Sequence, residues 1–225
     1  MSLIDYDRPS LTTDIVLFRI HETESENMRK GSNKKLQVLL IQRNMEPQVG
    51  MWSLPGGFVD IDEDIEHNVK RKLLEKTGIA GDFYVEQLYT WGNIDRDERG
   101  RVISVSYIGL VNDFTHTNIG GTANQKWVDI DVALNTALAF DHKKIIEYAI
   151  QRIRGKAEYT DIVFNLMPQE FTIKDCKDVY ELVLDKNMDN FKRRVEKYVL
   201  NLNKTRIGKQ FRPAELYTWN RERNN

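Results

Sequence analysis

Residues 54–79 have the sequence LPGGFVDIDEDIEHNVKRKLLEKTGI. The first part contains the Pro55-Gly56-Gly57 turn, where glycines permit backbone conformations that a side chain would block. An amphipathic helix is expected to begin near Asp62 or Glu63, because apolar residues then recur at helical spacing: Ile65, Val69, Leu73 and Leu74. Gly78 is placed to cap the end of this helix. The stretch therefore predicts a turn, a surface helix and a second turn.

The same stretch resembles a Nudix box. That family's pattern has a Gly, a Glu six residues later, and then Arg-Glu-apolar-x-Glu-Glu-x-Gly-apolar. The positions that match in register are Gly57, Glu63, Arg71, Leu73, Glu75, Gly78 and Ile79. At two positions where the family has metal-binding glutamates, this chain has Lys72 and Lys76. The resemblance implies a Nudix-like α/β/α sandwich, in which Arg71 orients neighbouring acids.

The two lysines argue against the family's reaction. In Nudix hydrolases, cleavage of a nucleoside diphosphate derivative requires divalent cations held by carboxylate oxygens. Exchanging two carboxylates for two ammonium groups changes the local charge by about four units, so each lysine repels the cation. The four histidines lack metal-ligand spacing, and the single cysteine, Cys176, excludes a disulfide within the chain and a multi-cysteine metal site. We therefore expect no catalytic residues, no metal and no cofactor.

The composition is that of a globular protein with one large or two small domains: 225 residues, 40% hydrophobic and 30% charged. No apolar run approaches the roughly 18 residues that cross a bilayer, and the N-terminus lacks a basic-then-apolar signal. We therefore expect a cytoplasmic protein without a membrane partner. The net charge of -1 conceals an asymmetry, since Lys186–Asn225 carries eleven Lys and Arg against four Asp and Glu. A basic end of this kind suits a polyanion.

The first 156 residues alternate strands and turns in a pattern that fits the α/β/α sandwich. Apolar stretches predict strands, the first two paired as a hairpin, at 12–20, 36–43, 84–90, 101–111 and 125–130. A helix is predicted over 141–155, with Gly155 as its terminator, because one face is apolar: Ile145, Ile146, Ala149, Ile150 and Ile153. We place the domain boundary after this helix. Residues 1–156 then form the Nudix-like domain and residues 157–225 a second domain.

The sequence of the second domain predicts three short helices followed by a β-hairpin. The first lies around 159–167, and the second starts at Thr172, a candidate N-cap with Asp175 three residues later. The third spans 188–199, with Asn187 as a candidate cap. A basic helix face is usually just solvated surface. Here, the pair of helices, the basic hairpin and the asymmetry of charge along the chain together favour a winged helix-turn-helix that binds DNA. The candidate DNA-binding residues are Lys186, Asn190, Arg193, Arg194, Lys197, Lys204, Arg206, Lys209 and Arg212.

Three features together resemble the Nudix-related transcriptional regulators: the altered Nudix box, Phe140-Asp141-His142 with Arg152-Ile-Arg154, and the terminal Arg212-Pro-Ala-Glu-Leu-Tyr217. In that family a Nudix-like domain senses a small effector, a winged helix-turn-helix binds double-stranded operator DNA, and a homodimer contacts two half-sites. Two other protein classes stay open. One is a protein-interaction module that retained both folds. The other is a working hydrolase with relocated metal ligands: Glu63, Glu75 and one of Asp60, Asp62 or Asp64.

The resemblance leaves two classes of effector, ADP-ribose and sugars such as L-arabinose. A neutral pentose needs hydrogen-bonding side chains and an apolar platform, for which the candidates are Arg43, Trp52, Trp91, Asp95, Ser104 and Ser106. ADP-ribose could instead bind Lys72 and Lys76 through its pyrophosphate, although surface pairing of these lysines with neighbouring acids is the simpler interpretation. We expect the arabinose-responsive branch, because the acidic body gives a phosphate no general attraction.

Overall fold

The computed structural model describes residues 7–23, 33–81, 83–112, 124–206 and 213–224. The N-terminal part of the molecule is built on one mixed sheet. Its strands are β1 (Ser10–Thr23), β2 (Asn33–Gln42), β3 (Trp52–Ser53), β4 (Gly56–Phe58), β5 (Tyr84–Trp91), β6 (Val102–Leu110) and β7 (Gln125–Asp129). Its helices are α1 (Ile65–Thr77), α2 (Ile130–Leu134) and α3 (His142–Ala157).

β1 is the central strand and joins the two halves of the sheet. It pairs antiparallel with β2 and β4 and parallel with β6, where Phe18 lies opposite Leu110. β5 forms one edge against β6, while β3 and β7 pair with β2. The hairpin expected from the first two strands is confirmed. Because both faces of β1 are covered, residues 12–18 are all buried.

α1 covers one face of the sheet. Its apolar side packs on strand residues in a cluster that contains Ile15, Leu17, Leu39, Val69 and Leu73. The buried Asn68 ties the helix to the sheet, because the Thr13 hydroxyl donates to its side-chain oxygen over 2.6 Å. The helix starts slightly later than expected, after Asp64, whose backbone is extended. Gly78 ends it in the left-handed conformation with φ 74°, as expected.

α3 covers the opposite face of the sheet, and all five residues of its predicted apolar face are buried. The expectation that Gly155 terminates this helix is wrong, since α3 continues through Ala157. A glycine in a helix costs only about 1 kcal/mol relative to alanine, and the buried Ala157 extends the apolar face beyond it. The boundary at residue 156 therefore falls in the last turn of α3, and it stays a prediction.

The C-terminal part contains α4 (Ile173–Leu184), α5 (Phe191–Val195) and the hairpin of β8 (Val199–Arg206) and β9 (Ala214–Trp219). The predicted N-cap of α4 is confirmed as a reciprocal pair. Thr172 Oγ1 accepts from the Asp175 backbone nitrogen over 3.1 Å, and Asp175 Oδ2 accepts from the Thr172 nitrogen over 3.0 Å. The expected first helix is only a 3-10 segment, Ile162–Leu166. Among the helices that the structure describes, none is long and apolar enough to cross a membrane.

The third helix of the C-terminal part is shorter than predicted. Asn190, in the left-handed conformation with φ 52°, precedes α5, so the expectation that Asn187 caps this helix is wrong. The α-helical turns end at Val195, and a 3-10 turn through Tyr198 leads into β8. Val199 is taken into the hairpin, where it pairs with Trp219. A 3-10 turn and the strand pairing of Val199 therefore replace the α-helix in the last four predicted residues.

The two parts of the molecule share one continuous apolar core. It runs from the face of the sheet opposite α1, through α3, to the inner faces of α4, α5 and β9; its residues include Phe18, Ile145, Ile153, Phe171, Tyr180 and Tyr217. A backbone bridge between Phe171 and Tyr217 joins the start of α4 to β9. The winged helix therefore packs directly on the α/β/α sandwich.

Candidate functional site

Arg71 organises the acids of the turn and helix recognised in the sequence. Its guanidinium contacts Glu63 at 2.6 and 2.7 Å, Asp60 at 2.8 Å and Glu75 at 3.1 Å. Hydrogen bonding from Arg71 lowers the pKa of Glu63 to about 2 and also lowers the pKa of Glu75. Asn68 Nδ2 donates to Glu63 over 2.8 Å. These carboxylates are therefore engaged by the protein's own donors.

Lys72 and Lys76 face a cleft of about 510 Å³ beside α1. Lys72 lies over Gly57, where an added Cβ would come within 3.0 Å of its Cε, and its Nζ is 3.5 Å from Glu75 Oε2. Lys76 is exposed. Magnesium needs several free oxygen ligands, whereas this donor set has two ammonium groups and acids paired with Arg71. The residues therefore do not fit the divalent cation that the fold family implies.

Aromatic rings and guanidinium groups lie together in the lining of the same cleft. The Arg43 guanidinium carbon lies 4.7 Å from the centre of the Phe140 ring. Arg99 lies 5.7 Å from the same ring and 5.0 Å from the ring of Phe58. Asp97 holds Arg99 through contacts of 2.6 and 2.9 Å. The cleft therefore contains two lysines, two arginines packed on aromatic rings, and carboxylates such as Asp97 paired with them.

A buried ion cluster lies under the cleft and joins β1 to the start of α3. Arg96 Nη2 is 3.2 Å from Asp14 Oδ2 and 2.8 Å from Asp141 Oδ1. The Ser104 hydroxyl donates to Asp14 over 2.6 Å. Burial opposes ionisation of Asp14, but attraction and hydrogen bonding from His142, the Ser104 hydroxyl and the charge of Arg96 lower its pKa to about 2. The cluster thus holds Asp14 charged and fixes the helix start.

His142 connects this cluster to the turn before α1. The Leu54 backbone nitrogen donates to His142 Nδ1 over 2.9 Å, and Nε2 lies 3.4 Å from Asp14 Oδ1. From the start of α3, His142 therefore bridges β1 and the segment between β3 and β4.

The other end of α3 is bound to the C-terminal part of the molecule. Arg194 Nη2 donates to the backbone oxygens of Ala157 and Glu158, each over 2.8 Å. The Glu158 carboxylate also accepts from Lys186, and Arg154 Nε donates to the Val183 oxygen over 3.2 Å. Lys186 and Arg194, both candidates for DNA contact, are thus used to hold α3 against α4 and α5.

The structure separates the residues proposed from the sequence for effector binding. Arg43 lines the cleft, and Ser104 lies under it against Asp14. Trp91 instead donates to Ser106 Oγ over 2.8 Å, away from the lining of the cleft. Asp95 lines a second cavity, and Trp52 packs partly buried against the core. Sequence reasoning missed Asp14, Phe58, Arg99 and Phe140 as neighbours of the cleft, because only tertiary contacts bring them together.

The candidate DNA-binding residues fall into three groups. Arg193 and Lys197 are exposed around the short α5, with Asn190 before it and the Lys197 ammonium 4.6 Å from the ring of Tyr198. Lys204 and Arg206 extend from the hairpin and contact Glu170 at 3.2 Å and Asp175 at 2.9 Å. Lys186 and Arg194 contact Glu158, as described above. Lys209 and Arg212 lie outside the described residues.

Comparison with known proteins identifies both parts of the chain. Residues 29–149 match the NUDIX domain, and residues 163–219 match the NrtR DNA-binding winged helix domain. A protein from Acinetobacter baylyi, the ADPR responsive transcriptional repressor NtrR, is 37% identical over 220 residues. The match covers 95% of this chain and 83% of that relative. The predicted fold, a Nudix-like sandwich followed by a winged helix, is confirmed.

Two solved structures from Shewanella oneidensis extend the comparison. NrtR complexed with a 27mer DNA is 36% identical, superposes with a TM-score of 0.80 and covers 93% of each chain. The NUDIX domain of NrtR complexed with ADP ribose is also 36% identical, with a TM-score of 0.53. It covers 68% of this chain and 93% of that domain.

The preference for an arabinose effector is wrong. The relative that matches nearly the whole chain is named for its response to ADPR, and the NUDIX domain of the second structure holds ADP ribose. The error came from weighing the net charge of the whole body, which does not show that the fold brings Lys72 and Lys76 into one cleft with Arg43 and Arg99. On these matches, the chain belongs to the NrtR family of transcriptional regulators, in which a NUDIX domain precedes a DNA-binding winged helix domain.

Proposed function

We propose that this protein is an ADP-ribose-responsive transcriptional repressor. The observation that carries the proposal is the pair of lysines in the cleft: Lys72 and Lys76 occupy positions where Nudix hydrolases have metal-binding glutamates. A pyrophosphate carries the same sign of charge as the displaced carboxylates, so the lysines attract the group that a metal would otherwise have to screen. Effector binding therefore requires no divalent cation.

The guanidinium groups of Arg43 and Arg99 complete the binding surface for the effector. Guanidinium groups recognise phosphate oxygens in fixed geometry. Contacts with Phe140 and Asp97 hold these two groups in place before a ligand binds. The cleft is in this way prepared for an anionic ligand.

The cleft is proposed to bind ADP-ribose without hydrolysing it. A relocated metal site would use Glu63 and Glu75 with Asp60, Asp62 or Asp64, and Arg71 contacts Glu63, Glu75 and Asp60. ADP-ribose incubated with magnesium or manganese is therefore expected to remain intact. Phosphate release that disappears in Glu75→Gln would contradict this part of the proposal.

DNA binding is assigned to α5 and the hairpin of β8 and β9. Arg193 and Lys197 are placed to enter the major groove, and the hairpin cations, Lys204 and Arg206, to contact phosphates. We retain the expectation of a homodimer, since two winged helices are needed to occupy two half-sites. A regulator of this kind acts in the compartment that holds the DNA, the cytoplasm.

α3 gives the effector a physical route to the DNA-binding part. Its 16 residues span about 24 Å at 1.5 Å per residue, from the ion cluster below the cleft to Glu158 against α5. Phe140 lines the cleft and lies two residues before the start of α3. An effector that shifts Phe140 would therefore act directly on the start of this helix. If the effector binds one placement of α3 more tightly than another, effector binding would then change the affinity of the protein for DNA.

The proposal is tested by fluorescence anisotropy with labelled fragments from the upstream regions of the organism's genes. One fragment should bind with steep salt dependence, and ADP-ribose, without added metal, should release it. L-arabinose at the same concentration should leave the complex intact. Absence of any preferred fragment, or a complex that ADP-ribose does not affect, would overturn the proposal.

A further inference from the structure

Two carboxylates at the start of α4, those of Glu170 and Asp175, lie beside the hairpin of β8 and β9. Phe171 follows Glu170 in the chain and exchanges two backbone hydrogen bonds with Tyr217 of β9, over 2.8 and 3.0 Å. These bonds hold Glu170 next to the hairpin. Asp175 lies in the first turn of α4, where its capping pair with Thr172 fixes its carboxylate. Both acids are therefore held in place by the backbone around them.

The hairpin brings two of its cations to these acids. Lys204 and Arg206 are alternate residues of β8, and both reach the start of α4. Lys204 Nζ lies 3.2 Å from Glu170 Oε1, and Arg206 Nη1 lies 2.9 Å from Asp175 Oδ2. The two cations that we assign to phosphate contact are thus each paired with a carboxylate of the same winged helix.

The pair formed by Asp175 is the more deeply set of the two. The side chain of Asp175 is 24% exposed, and its carboxylate also lies 3.7 Å from the ammonium of Lys34 in β2. Burial opposes ionisation of Asp175, but hydrogen bonding from Thr172 and the charges of Lys34 and Arg206 outweigh burial and lower its pKa. Asp175 is therefore an anion at neutral pH.

The pair formed by Glu170 is open to water. The side chain of Glu170 is 45% exposed and that of Lys204 is 63% exposed. Hydrated pairs of this kind are weak, because water replaces either partner at little cost. Lys204 can therefore leave Glu170 more readily than Arg206 can leave Asp175.

DNA competes with both carboxylates for the hairpin cations. When a phosphate takes the place of an acid, the protein gains only the difference between the two contacts. The acid that is released stays near the hairpin and repels the phosphate. Phosphate contacts are independent of base sequence, so this competition acts on every duplex alike.

We propose that the pairs Lys204–Glu170 and Arg206–Asp175 form an autoinhibitory contact, which holds the hairpin cations in the free protein and lowers its affinity for duplex DNA of any sequence. This inference rests on the proposed function, because the hairpin must contact phosphates for the contact to matter. Glu170 and Asp175 set the affinity without touching the DNA.

Fluorescence anisotropy with four proteins tests the inference: the wild type, Glu170→Gln, Lys204→Met and the double variant. The probe is a labelled duplex of arbitrary sequence in about 0.1 M salt, where charges more than about 10 Å apart are largely screened. We expect Glu170→Gln to bind about two- to sixfold more tightly, since a weak exposed pair no longer competes. Lys204→Met should bind more weakly and lower the slope of log K against log salt by about one.

The double variant distinguishes competition from general repulsion. In the Lys204→Met background, Glu170→Gln should leave the affinity unchanged, because the acid has no lysine to hold there. The matched control is Glu147→Gln, which removes the same charge from an exposed position on α3 and should bind as the wild type does. Equal melting temperatures of the variants exclude misfolding as the cause.

The outcomes separate this inference from the proposed function. Equal tightening by Glu170→Gln in both backgrounds would show general repulsion and overturn the autoinhibitory contact. Unchanged or weaker binding of Glu170→Gln alone would also overturn it, while weaker binding of Lys204→Met would still support phosphate contact by the hairpin. If Lys204→Met binds the duplex as the wild type does, or the wild type binds none, the proposed role of the hairpin fails and the inference fails with it.

Discussion

The two ends of α3 are both held by ion pairs, but in opposite surroundings. At the cleft end, Arg96 and its partners Asp14 and Asp141 have side-chain exposures of 4%, 10% and 10%. At the DNA end, Glu158 is 43% exposed and its partner Lys186 51%. Breaking a buried pair leaves an uncompensated charge, whereas an exposed pair contributes about 0 to 1 kcal/mol. The ion pairs at the cleft end therefore hold α3 more firmly than the ion pairs at its other end.

This difference indicates where a regulatory movement is least costly. The contacts at Glu158 can exchange for water without a large loss of stability, since both charges are already partly hydrated. The cluster around Asp14 cannot, because its members would remain buried. An effector signal is therefore expected to leave the start of α3 attached to the cleft and to change how its end meets α5.

The largest expected effect comes from removing the central cation of the buried cluster. Arg96→Met leaves Asp14 and Asp141 without their partner, so the free energy of unfolding should fall by about 3 to 5 kcal/mol. Urea unfolding at neutral pH measures this change. Arg101→Met, an exposed arginine nearby, is the control and should change stability by less than about 1 kcal/mol. Equal losses of stability in the two variants would show that the buried cluster is no more important for stability than an exposed arginine.

Reversing the charge of the cleft should have the next largest effect. Lys72→Glu/Lys76→Glu converts attraction for pyrophosphate into repulsion, which we expect to weaken ADP-ribose binding about thirty- to hundredfold, or roughly 2 to 3 kcal/mol. Titration in the presence of EDTA excludes binding through a metal recruited by the new carboxylates. The control, Lys70→Glu, lies exposed on α1 outside the cleft and should bind as the wild type does. Unchanged affinity of the double variant for ADP-ribose would show that the two lysines do not contact the effector.

Acid sensitivity should follow from Asp14. Its pKa is about 2 in the folded protein, below the ordinary value of 3.8, so this carboxylate contributes stability above about pH 4 and loses that contribution as the pH falls towards 2. The shift corresponds to about 2 kcal/mol. Comparing wild type with Asp14→Asn isolates this contribution from other acids with lowered pKa, such as Glu63. The stability difference should shrink between pH 4 and pH 2, and a difference that stays constant would contradict the assignment.

At the DNA end, Arg193→Ala should weaken operator binding about tenfold and reduce the salt dependence, because an exposed guanidinium on α5 is lost. Anisotropy titrations at several salt concentrations measure both quantities. Lys143→Ala, which removes an exposed cation from α3, should leave both unchanged. Equal losses in the two variants would indicate a general charge effect rather than a binding face.

The smallest expected effect is on the stability of the exposed junction. Glu158→Gln removes the carboxylate that faces Lys186 and Arg194, yet the free energy of unfolding should change by no more than about 1 kcal/mol. The same urea experiment as for Arg96→Met gives a direct comparison of the two ends. A loss near that of Arg96→Met would show that both ends are equally fixed.

Much of the fold follows from local patterns in the sequence. The glycine turns and the apolar spacing of α1 and α3 determine the sandwich, and the capping pair Thr172 and Asp175 marks the start of α4. These features depend on neighbours within one or two helical turns. The shortened α5 could not be foreseen in this way, because Val199 is withdrawn from the helix by its pairing with Trp219, 20 residues later.

The sites were less accessible from the sequence than the fold. Lys72 and Lys76 stood out because they break a known pattern, whereas Arg99, Phe140 and Asp14 are brought together only by the packing of α3 on the sheet. Composition misled the choice of effector, since the charge of a whole domain does not show which side chains the fold brings together in one cleft. Charges that appeared free for DNA, such as Lys186, proved to have partners in the protein.

The shared core also limits how this regulator can be rebuilt. Since α3 packs on the sheet through Ile145 and contributes Ile153 to the same core as Tyr180 of α4, a substitution in the helix must suit both halves. Grafting a different sensor onto this winged helix would therefore require the donor to bring a helix with the same apolar face. The two halves carry different functional groups, but they share one core. Exchange of either half therefore requires redesign of the apolar residues that α3 contributes to that core.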